Sequence, residues 1–304
     1  MNYYKPITYI VQPEENGWIL KSVLREKLNI SRRLLSRIKL TEKGVMVNGK
    51  REFISIKVFT GDRIEIHMEQ ETSEYIEPQN IPLDILFEDD YLLIVNKQSG
   101  IIVHPTHGHY ANTLANGVVY HWMQKGENYR FRPIHRLDEE TSGVLAIAKN
   151  PYVHQQISEQ MINNQVKKEY VAIVNGHLPD LEGTVNAPID RDPEHRHLRI
   201  VTEEGYSAVT HYKVEEKYKS ASLVRLWLET GRTHQIRVHM KHLGCPLMGD
   251  KMYGEQNETM PKVDRQALHA AKLGFFHPNS REYTEFTAPL PSDMQSTIGC
   301  LKRE

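Results

Sequence analysis

A strongly acidic segment divides the chain into two parts of different character. Residues 68–90 contain eight Asp and Glu, two prolines and no Lys or Arg. Residues 1–67 have 13 Lys and Arg against 7 Asp and Glu, a net charge of +6. A one-sided charge run with prolines is typical of an extended, solvated linker. We therefore predict a basic module over 1–67, an acidic linker over 68–84 and a larger domain over 85–304.

The composition of the whole chain excludes several classes of protein. Its 304 residues are 39% hydrophobic and 25% charged, which is ordinary for a globular protein. The formal net charge of −1 hides the cancellation between the basic module and the acidic linker. Two cysteines are too few for a disulfide framework or a Cys-rich zinc module. No apolar stretch approaches the ~18 residues of a membrane span, so we expect a cytoplasmic protein without membrane association.

Two short helices and a few strands are predicted in the basic module. Leucines recur every four positions over residues 20–28, which indicates one apolar helical stripe. Ser31 is the predicted N-cap of a second helix, and Asn48-Gly49 predicts a tight hairpin turn. Basic side chains cluster on that helix and beside that turn: Arg32, Arg33, Arg37, Lys39, Lys50 and Arg51.

A basic helix face alone is most often a solvated surface. Here the order of a helix, the SRRLLSRI helix, the VMVNGK hairpin and the GDRIEI strand resembles the small α-L RNA-binding module, which was first recognised in a ribosomal protein. The resemblance implies that the six basic residues contact RNA.

The larger domain interleaves predicted strands and helices irregularly, without an internal repeat or a Gly-rich phosphate loop. Apolar runs and alternation predict strands at 92–97, 101–105, 144–148, 167–176 and 222–231, and helices at 153–161 and 232–244. Along 167–176, Tyr170, Ala172 and Val174 share one face of the strand.

A polar loop before the strand at 144–148 carries a carboxylate that the sequence sets apart. An isolated loop aspartate is usually a turn former, but Asp138 lies within the string HRLDEETSG. A carboxylate in such a loop can be anchored and presented to a cleft. Thr141, Ser142 and Gly143 are expected to shape this loop and not to react.

The string HRLDEETSG resembles the active-site signature of the RluA family of pseudouridine synthases, which reads HRLD, two variable residues, TSG. Further blocks resemble family blocks in the expected order: DDYLLIVNKQSGIIVHP (89–105), KKEYVAIVNG (167–176), TGRTHQIRVHMKHLGCPLMGDKMYG (230–254) and ALHAAKLGFFHP (267–278). Together they cover most of residues 85–290. One departure is Gln98-Ser99, which replaces a Pro-Ala-like pair in a loop.

This resemblance implies an α+β fold whose catalytic domain has a mixed, largely antiparallel sheet. It also implies isomerisation of uridine to pseudouridine in structured RNA: the bond between base and ribose is cleaved, the uracil turns, and it is rejoined through carbon. No electrons or phosphate move, so no cofactor and no metal are expected. Ribosomal RNA is favoured over transfer RNA as the partner, and no obligate protein partner is inferred.

The resemblance also assigns roles to single residues. Asp138 is the expected catalytic carboxylate, as nucleophile or as charge partner, and Arg237 is expected to pair with it and keep it ionised. Tyr170 would stack on the uracil, near where a base removes a proton late in the reaction, above an apolar floor at Leu268. Arg136 would occupy the stack that the flipped base leaves, although a plain phosphate contact is the alternative.

Two more residues complete the expected substrate-binding set. His135 is interpreted as a hydrogen-bonding element of its loop, ahead of an acid-base role. Arg232 is expected to contact the RNA backbone.

Other functions compete with this one. His239, His242 and Cys245 could indicate zinc, but a structural zinc site needs four ligands. Glu139 and Glu140 could indicate a two-carboxylate hydrolase, but adjacent loop residues rarely converge on one bond. A non-catalytic RNA-binding or ribosome-assembly factor would be expected to have lost part of the catalytic set, which is complete here. A nucleosidase would release free uracil.

Overall fold

The structure is a computed structural model that describes residues 2–106, 108–254 and 263–303. In the basic module, four short strands form an antiparallel sheet in the order β1-β4-β2-β3: β1 (Ile7–Ile10), β2 (Val45–Val47), β3 (Lys50–Arg51) and β4 (Arg63–Ile66). The helical segments are a 3-10 turn (Pro13–Glu15), α1 (Leu20–Ser22) with a π-helical continuation (Val23–Lys27), and α2 (Arg32–Ile38).

Local signals in the basic module act as predicted. The Ser31 side chain caps α2 by accepting a hydrogen bond from the Leu34 N–H at 3.2 Å. Asn48 and Gly49 both have positive φ, 50° and 78°, as the tight turn between β2 and β3 requires. Both predicted features are therefore confirmed, whereas β1 is a strand that sequence patterning did not identify.

The larger domain is built on one sheet, whose strands are β5 (Asp84–Glu88), β6 (Leu92–Lys97), β7 (Ser142–Ala148), β8 (Lys167–Asn175), β9 (Glu182–Asn186), β12 (Val209–Lys217), β13 (Ala221–Leu228), β14 (Leu268–Phe276) and β15 (Tyr283–Thr287). A separate hairpin consists of β10 (Ile189–Arg191) and β11 (Arg199–Val201). The helices are α3 (Leu114–Gln124), α4 (Pro151–Ile162), α5 (Gln235–His242) and α6 (Ser292–Leu301). None of the helices in the described ranges is long and apolar enough to cross a bilayer.

The strand order in this sheet is β5-β6-β7-β14-β8-β13-β12-β9, with β15 added to β14. Among the described pairs of this sheet, β7 and β14 are parallel and the others are antiparallel. This confirms the predicted mixed, largely antiparallel sheet. It also makes the contact between β7 and β14 the seam that joins the two halves of the sheet.

The seam depends on a glycine. β7 and β14 pair through His269 with Ser142 and through Ala270 with Gly143. Gly143 has a φ of +118°, and a Cβ there would lie 2.2 Å from the carbonyl oxygen of Ala270. Any side chain would therefore force the two strands apart.

The prediction of a strand at 101–105 is wrong. Ile101 and Val103 are buried, as an apolar run should be, but their backbone joins no strand. The carbonyls of Ile102 and Val103 instead accept hydrogen bonds from the first N–H groups of α3, at Leu114 (2.8 Å) and Ala115 (3.1 Å). Capping of a helix end thus replaces strand pairing in this segment.

One apolar core runs through both parts of the chain. It joins module residues such as Leu24 and Ile64 with Leu92 and Ile94 of β6 and Ile157 of α4. Polar contacts reinforce it, since the Leu28 carbonyl accepts from Tyr152 Oη at 3.1 Å and the Asn29 carbonyl from Gln155 Nε2 at 2.6 Å. The basic module is therefore packed against the larger domain.

The acidic linker is not simply solvated, as its predicted character would suggest, but contacts both parts of the chain. Glu71 contacts the guanidinium groups of Arg37, Arg130 and Arg132. The Ser73 hydroxyl oxygen accepts from the Phe131 N–H at 2.7 Å. A carboxylate that neutralises three arginines anchors the linker against both parts of the chain.

We expect Gly143→Ala to lower the free energy of unfolding by about 3 kcal/mol or more, because it adds backbone strain and overpacking at the seam. Urea unfolding followed by circular dichroism measures this loss. Gly176→Ala is the matched control, since Gly176 also has positive φ (77°) but its added Cβ would meet only the Cys245 Sγ at 3.9 Å. The control should lose only about 1–2 kcal/mol, and equal losses would contradict the steric role of the seam.

Candidate active site

Asp138 lies in the turn that leads into β7, where one side of the loop is anchored and the other is open. The Thr141 N–H donates to the Asp138 carbonyl at 3.1 Å and closes the turn. Leu137 is buried, whereas the Asp138 side chain is 28% exposed. The carboxylate is therefore held on a fixed backbone and remains accessible to a ligand.

Arg237 of α5 reaches this carboxylate, as predicted. Its Nη1 donates to Asp138 Oδ2 at 3.1 Å. Its Nε and Nη2 bind Asp250 in a bidentate pair at 2.7 and 2.8 Å. Burial lowers the pKa of the guanidinium, but the two carboxylates outweigh burial and the net pKa lies above the ordinary value. Arg237 is thus a permanent cation with a set orientation.

Asp250 is the site residue that sequence reasoning missed. Its side chain is fully buried, and its Oδ1 also accepts from the N–H groups of Met252 and Tyr253 at 2.9 and 3.1 Å. Burial raises the pKa of this carboxyl, but the Arg237 guanidinium and these N–H groups lower it further, so the net pKa lies below its usual value. Asp250 lies within the block 230–254, but nothing in its spacing indicated which cation it binds.

An aromatic ring also lies against the guanidinium group of Arg237. The Arg237 guanidinium lies 5.0 Å from the centre of the Tyr253 ring. Tyr253 Oη is in turn hydrogen-bonded to His234 Nδ1 and to the Arg199 N–H, both at 2.8 Å. These contacts connect α5 to the hairpin of β10 and β11.

An apolar pocket wall adjoins the carboxylate. Leu137, Tyr170 and Leu268 belong to one buried cluster, and Tyr170 pairs across the sheet with Ala270, the seam neighbour of Gly143. Burial and the charge of Asp138 raise the pKa of Tyr170, so its side chain is a neutral phenol at neutral pH. The structure thus brings Asp138, Arg237 and these apolar residues into one region, which fits a flat ring beside a carboxylate.

The other predicted substrate-binding residues stand in different settings. His135 Nε2 lies 3.3 Å from the Val144 carbonyl, and burial lowers the pKa of the ring to about 4, so the ring is neutral at physiological pH. Arg136 is exposed, and within the described ranges no residue holds its guanidinium. Arg232 is exposed as well, donates through Nε to the Ser207 carbonyl at 3.0 Å and lies 5.5 Å from the Tyr206 ring centre.

The histidine considered for zinc has a structural position. His239 is buried, and its two ring nitrogens lie 2.8 Å from Thr210 Oγ1 and 2.9 Å from the Ala187 carbonyl. In the part of the chain that the structure describes, no group of three or more His, Cys, Asp or Glu side chains is arranged to hold a metal ion. His239 holds α5 against the sheet.

We expect Asp250→Asn to lose about 3 kcal/mol of unfolding free energy at pH 7, because it leaves a buried cation poorly compensated. The folded pKa of Asp250 lies below its unfolded value of ~3.9. Its contribution is therefore fully present above that value and is lost as the pH falls through the folded pKa. Urea unfolding at several pH values should show a constant gap from wild type near neutrality that narrows only below about pH 4.

The control for Asp250→Asn is Asp90→Asn, which breaks the exposed ion pair between Asp90 and Lys5. An exposed pair contributes little, so this variant should unfold close to wild type. A loss as small for Asp250→Asn would contradict the role given to the buried pair.

Comparisons with known proteins identify the family of this chain. A family model described as RNA pseudouridylate synthase matches residues 91–242. The chain is 42% identical to an uncharacterized RNA pseudouridine synthase, YlyB, of Bacillus subtilis (strain 168), over 85% of this chain and 86% of that protein. It is 38% identical to the ribosomal large subunit pseudouridine synthase D of Escherichia coli (strain K12), over 88% and 86%. The solved structure of human RNA pseudouridylate synthase domain containing 4 matches with a TM-score of 0.60 at 25% identity, over 72% and 93%. The chain therefore belongs to the RluA-type family of RNA pseudouridine synthases.

Proposed function

We propose that this chain isomerises a uridine of large-subunit ribosomal RNA to pseudouridine, with Asp138 as the catalytic carboxylate. The observation that carries the proposal is how Asp138 is held. Its Oδ2 accepts from Arg237, and no hydrogen bond or ion pair to its Oδ1 is found among the described residues. One oxygen is oriented by a buried cation while the other is available to the ribose.

The chemistry needs a carboxylate at this position. Breaking the bond between N1 of uracil and C1′ of the ribose leaves positive charge on the sugar or requires a nucleophile. An ionised carboxylate can stabilise that positive charge. It can also act as the nucleophile and form a covalent bond. The new bond then forms between C5 and C1′, C5 loses its proton and N1 gains one, so the reaction balances without a cofactor.

Tyr170 is proposed to hold the uracil ring by stacking. Its buried phenol is neutral, so its oxygen already carries a proton and cannot act as a base by itself. It can take the C5 proton only if it passes its own proton on at the same time. Leu268, at the start of β14 and 4% exposed, is the proposed apolar floor of the pocket.

A uridine in folded RNA must leave its stack to reach Asp138. Arg136 is the proposed residue that fills the gap, because it is exposed two positions before Asp138 and its planar guanidinium can stack and donate hydrogen bonds.

The choice of ribosomal RNA rests on the relatives and on the basic module. The Escherichia coli relative is named for the large ribosomal subunit. Arg32, Arg33, Lys39 and Lys50 form an exposed group, here called the basic patch. Arg51 connects its two elements by donating from Nη2 to the Lys39 carbonyl at 3.1 Å. We propose that this patch binds RNA phosphates, whereas Arg37 is partly neutralised by Glu71.

We expect Asp138→Asn to lower turnover by at least about 10³-fold while RNA affinity stays near wild type, because the substitution keeps the shape and removes the charge. The test complements a strain that lacks the gene with wild type, Asp138→Asn or Asp90→Asn, and maps pseudouridines in total RNA. A large-subunit position should be restored by wild type and Asp90→Asn only. Restoration by Asp138→Asn would contradict the catalytic assignment, and a lost transfer-RNA position would contradict the target.

The competing functions give different products in a purified reaction. Chromatography of the digested RNA should show pseudouridine and no free uracil. Free uracil would indicate a nucleosidase, and RNA binding without any product would indicate a non-catalytic assembly factor.

We expect the triple variant Arg32→Gln, Arg33→Gln and Lys50→Gln, which neutralises most of the basic patch, to bind RNA more weakly. The slope of log K against log salt should become shallower by about 2–3, because fewer counterions are released when fewer phosphates are contacted. Binding of a ribosomal RNA fragment at several salt concentrations measures the slope.

The matched control for the basic patch neutralises three exposed lysines on β12 and the turn after it, Lys213, Lys217 and Lys219. It should leave the slope nearly unchanged. The same loss in both triple variants would mean that only net charge matters and would contradict the patch. Substitutions are preferable to deletion of residues 1–67, because the module shares its core with the larger domain.

A further inference from the structure

Two buried cations bind consecutive carbonyls of the loop after Asp138. Lys97, the last residue of β6, donates from Nζ to the carbonyls of Gln98, Ile101 and Glu139 at 2.8, 2.8 and 2.7 Å. Arg265 donates from Nη1 to the carbonyl of Glu140 at 2.9 Å. The same Nη1 also lies 3.2 Å from the carbonyl of Leu268. We call Lys97 and Arg265 the carbonyl clamp.

The clamp is costly to bury. Lys97 is 1% exposed and Arg265 is 5% exposed. Lys97 uses all three of its ammonium protons on main-chain carbonyls, and burial lowers its pKa to about 7. Lys97 is held by carbonyls and not by a carboxylate, so no direct ion pair offsets the cost of its burial. Its position, next to the residue proposed to be catalytic, indicates a task in holding the loop.

The C-terminal helix aims one of the two cations. Arg265 Nε and Nη2 bind the Asp293 carboxylate at 2.6 and 3.1 Å, in the first turn of α6. Burial raises the pKa of Asp293, but Arg265 lowers it further, so the carboxylate is ionised at neutral pH. Met294 and Leu301 of α6 belong to one buried cluster with Val171 and Ile173 of β8. The sheet thus fixes the helix, and the helix fixes the guanidinium.

Packing is incomplete beside the carbonyl clamp. A cavity of about 440 Å³ borders the cluster, and Lys97, Ser142 and Asp293 are among its lining residues. Hydrogen bonds from a charged donor supply the direction that packing does not.

We propose that α6 supports the active site by orienting Arg265 through Asp293. Arg265 and Lys97 then hold the main chain of Glu139 and Glu140. The Asp138 carboxylate, which precedes them in the loop, thereby keeps its position and orientation. This inference rests on the proposed catalytic role of Asp138. Lys97, Arg265 and Asp293 are positioning residues, and none of them needs to touch the RNA. A misplacement of roughly 1 Å in a reacting group can cost about 10²-fold in rate.

The test uses Asp293→Ala in the full chain, because the Asp293 side chain is 45% exposed and its loss leaves no new buried cavity. We expect the single-turnover rate at saturating RNA to fall by about 10-fold or more, with the RNA dissociation constant near wild type. The melting temperature should fall because Arg265 loses its carboxylate partner, so the rates are compared at a temperature at which circular dichroism shows both proteins to be folded. Asp293→Glu, which keeps the carboxylate, should recover most of the rate. Should Asp293→Ala fold poorly, Asp293→Asn keeps the size and removes the charge, and the same loss of rate is expected.

Lys302→Ala is the matched control, since it breaks the ion pair of Lys302 with Glu216 at the other end of the same helix. Its rate should equal wild type. A wild-type rate for Asp293→Ala, an equal loss for Lys302→Ala, or a loss explained by weaker RNA binding would overturn the inference. Asp138→Asn is measured in parallel: if it is inactive while Asp293→Ala is normal, only the clamp is wrong, and if it is active, the proposed function fails and the clamp with it.

Discussion

The structure depends on the close approach of β7 and β14. These two strands join the halves of the main sheet over only two residue pairs, and Gly143 is the position where their backbones nearly touch. The loop that carries Asp138 enters β7 at this seam, and Leu268 begins β14 beside it. A parallel contact between strands that arrive from distant parts of the chain thus sets the geometry of the proposed pocket. The proposed chemistry is located where the fold has little steric tolerance.

Charged side chains then orient the residues that lie near the contact between β7 and β14. One buried guanidinium, Arg237, serves two carboxylates of different accessibility: Asp250 is fully buried and Asp138 is partly open. The buried carboxylate holds the cation, so the open one can share it and still face a ligand. Lys97 and Arg265 also use buried charge for orientation, but they bind main-chain carbonyls of the loop instead of its side chains. The buried cations therefore orient the residues around Asp138, because each cation is hydrogen-bonded to fixed partners.

The basic module and the larger domain act as one packed body. Their shared core includes Leu24 of the module and Ile157 of α4, and Glu71 of the linker pairs with arginines from both parts. The basic patch proposed to bind RNA is therefore held at a fixed position relative to Asp138. The net charge of −1 conceals this arrangement, because the positive module and the acidic linker cancel in the total.

Sequence alone determined the features that depend on neighbouring residues or on a contiguous motif. The cap at Ser31, the Asn48-Gly49 turn and the buried strand at 92–97 are set by local backbone preferences and short-range patterning, and the structure confirms them. The motif HRLDEETSG identified the family through resemblance, and the role of Asp138 within it stays a prediction. Only the tertiary structure decided the pairing of Asp250 with Arg237, the unpaired course of residues 101–105 and the docking of the module. Each of these depends on contacts between residues distant in the chain, whose free energy no local pattern records.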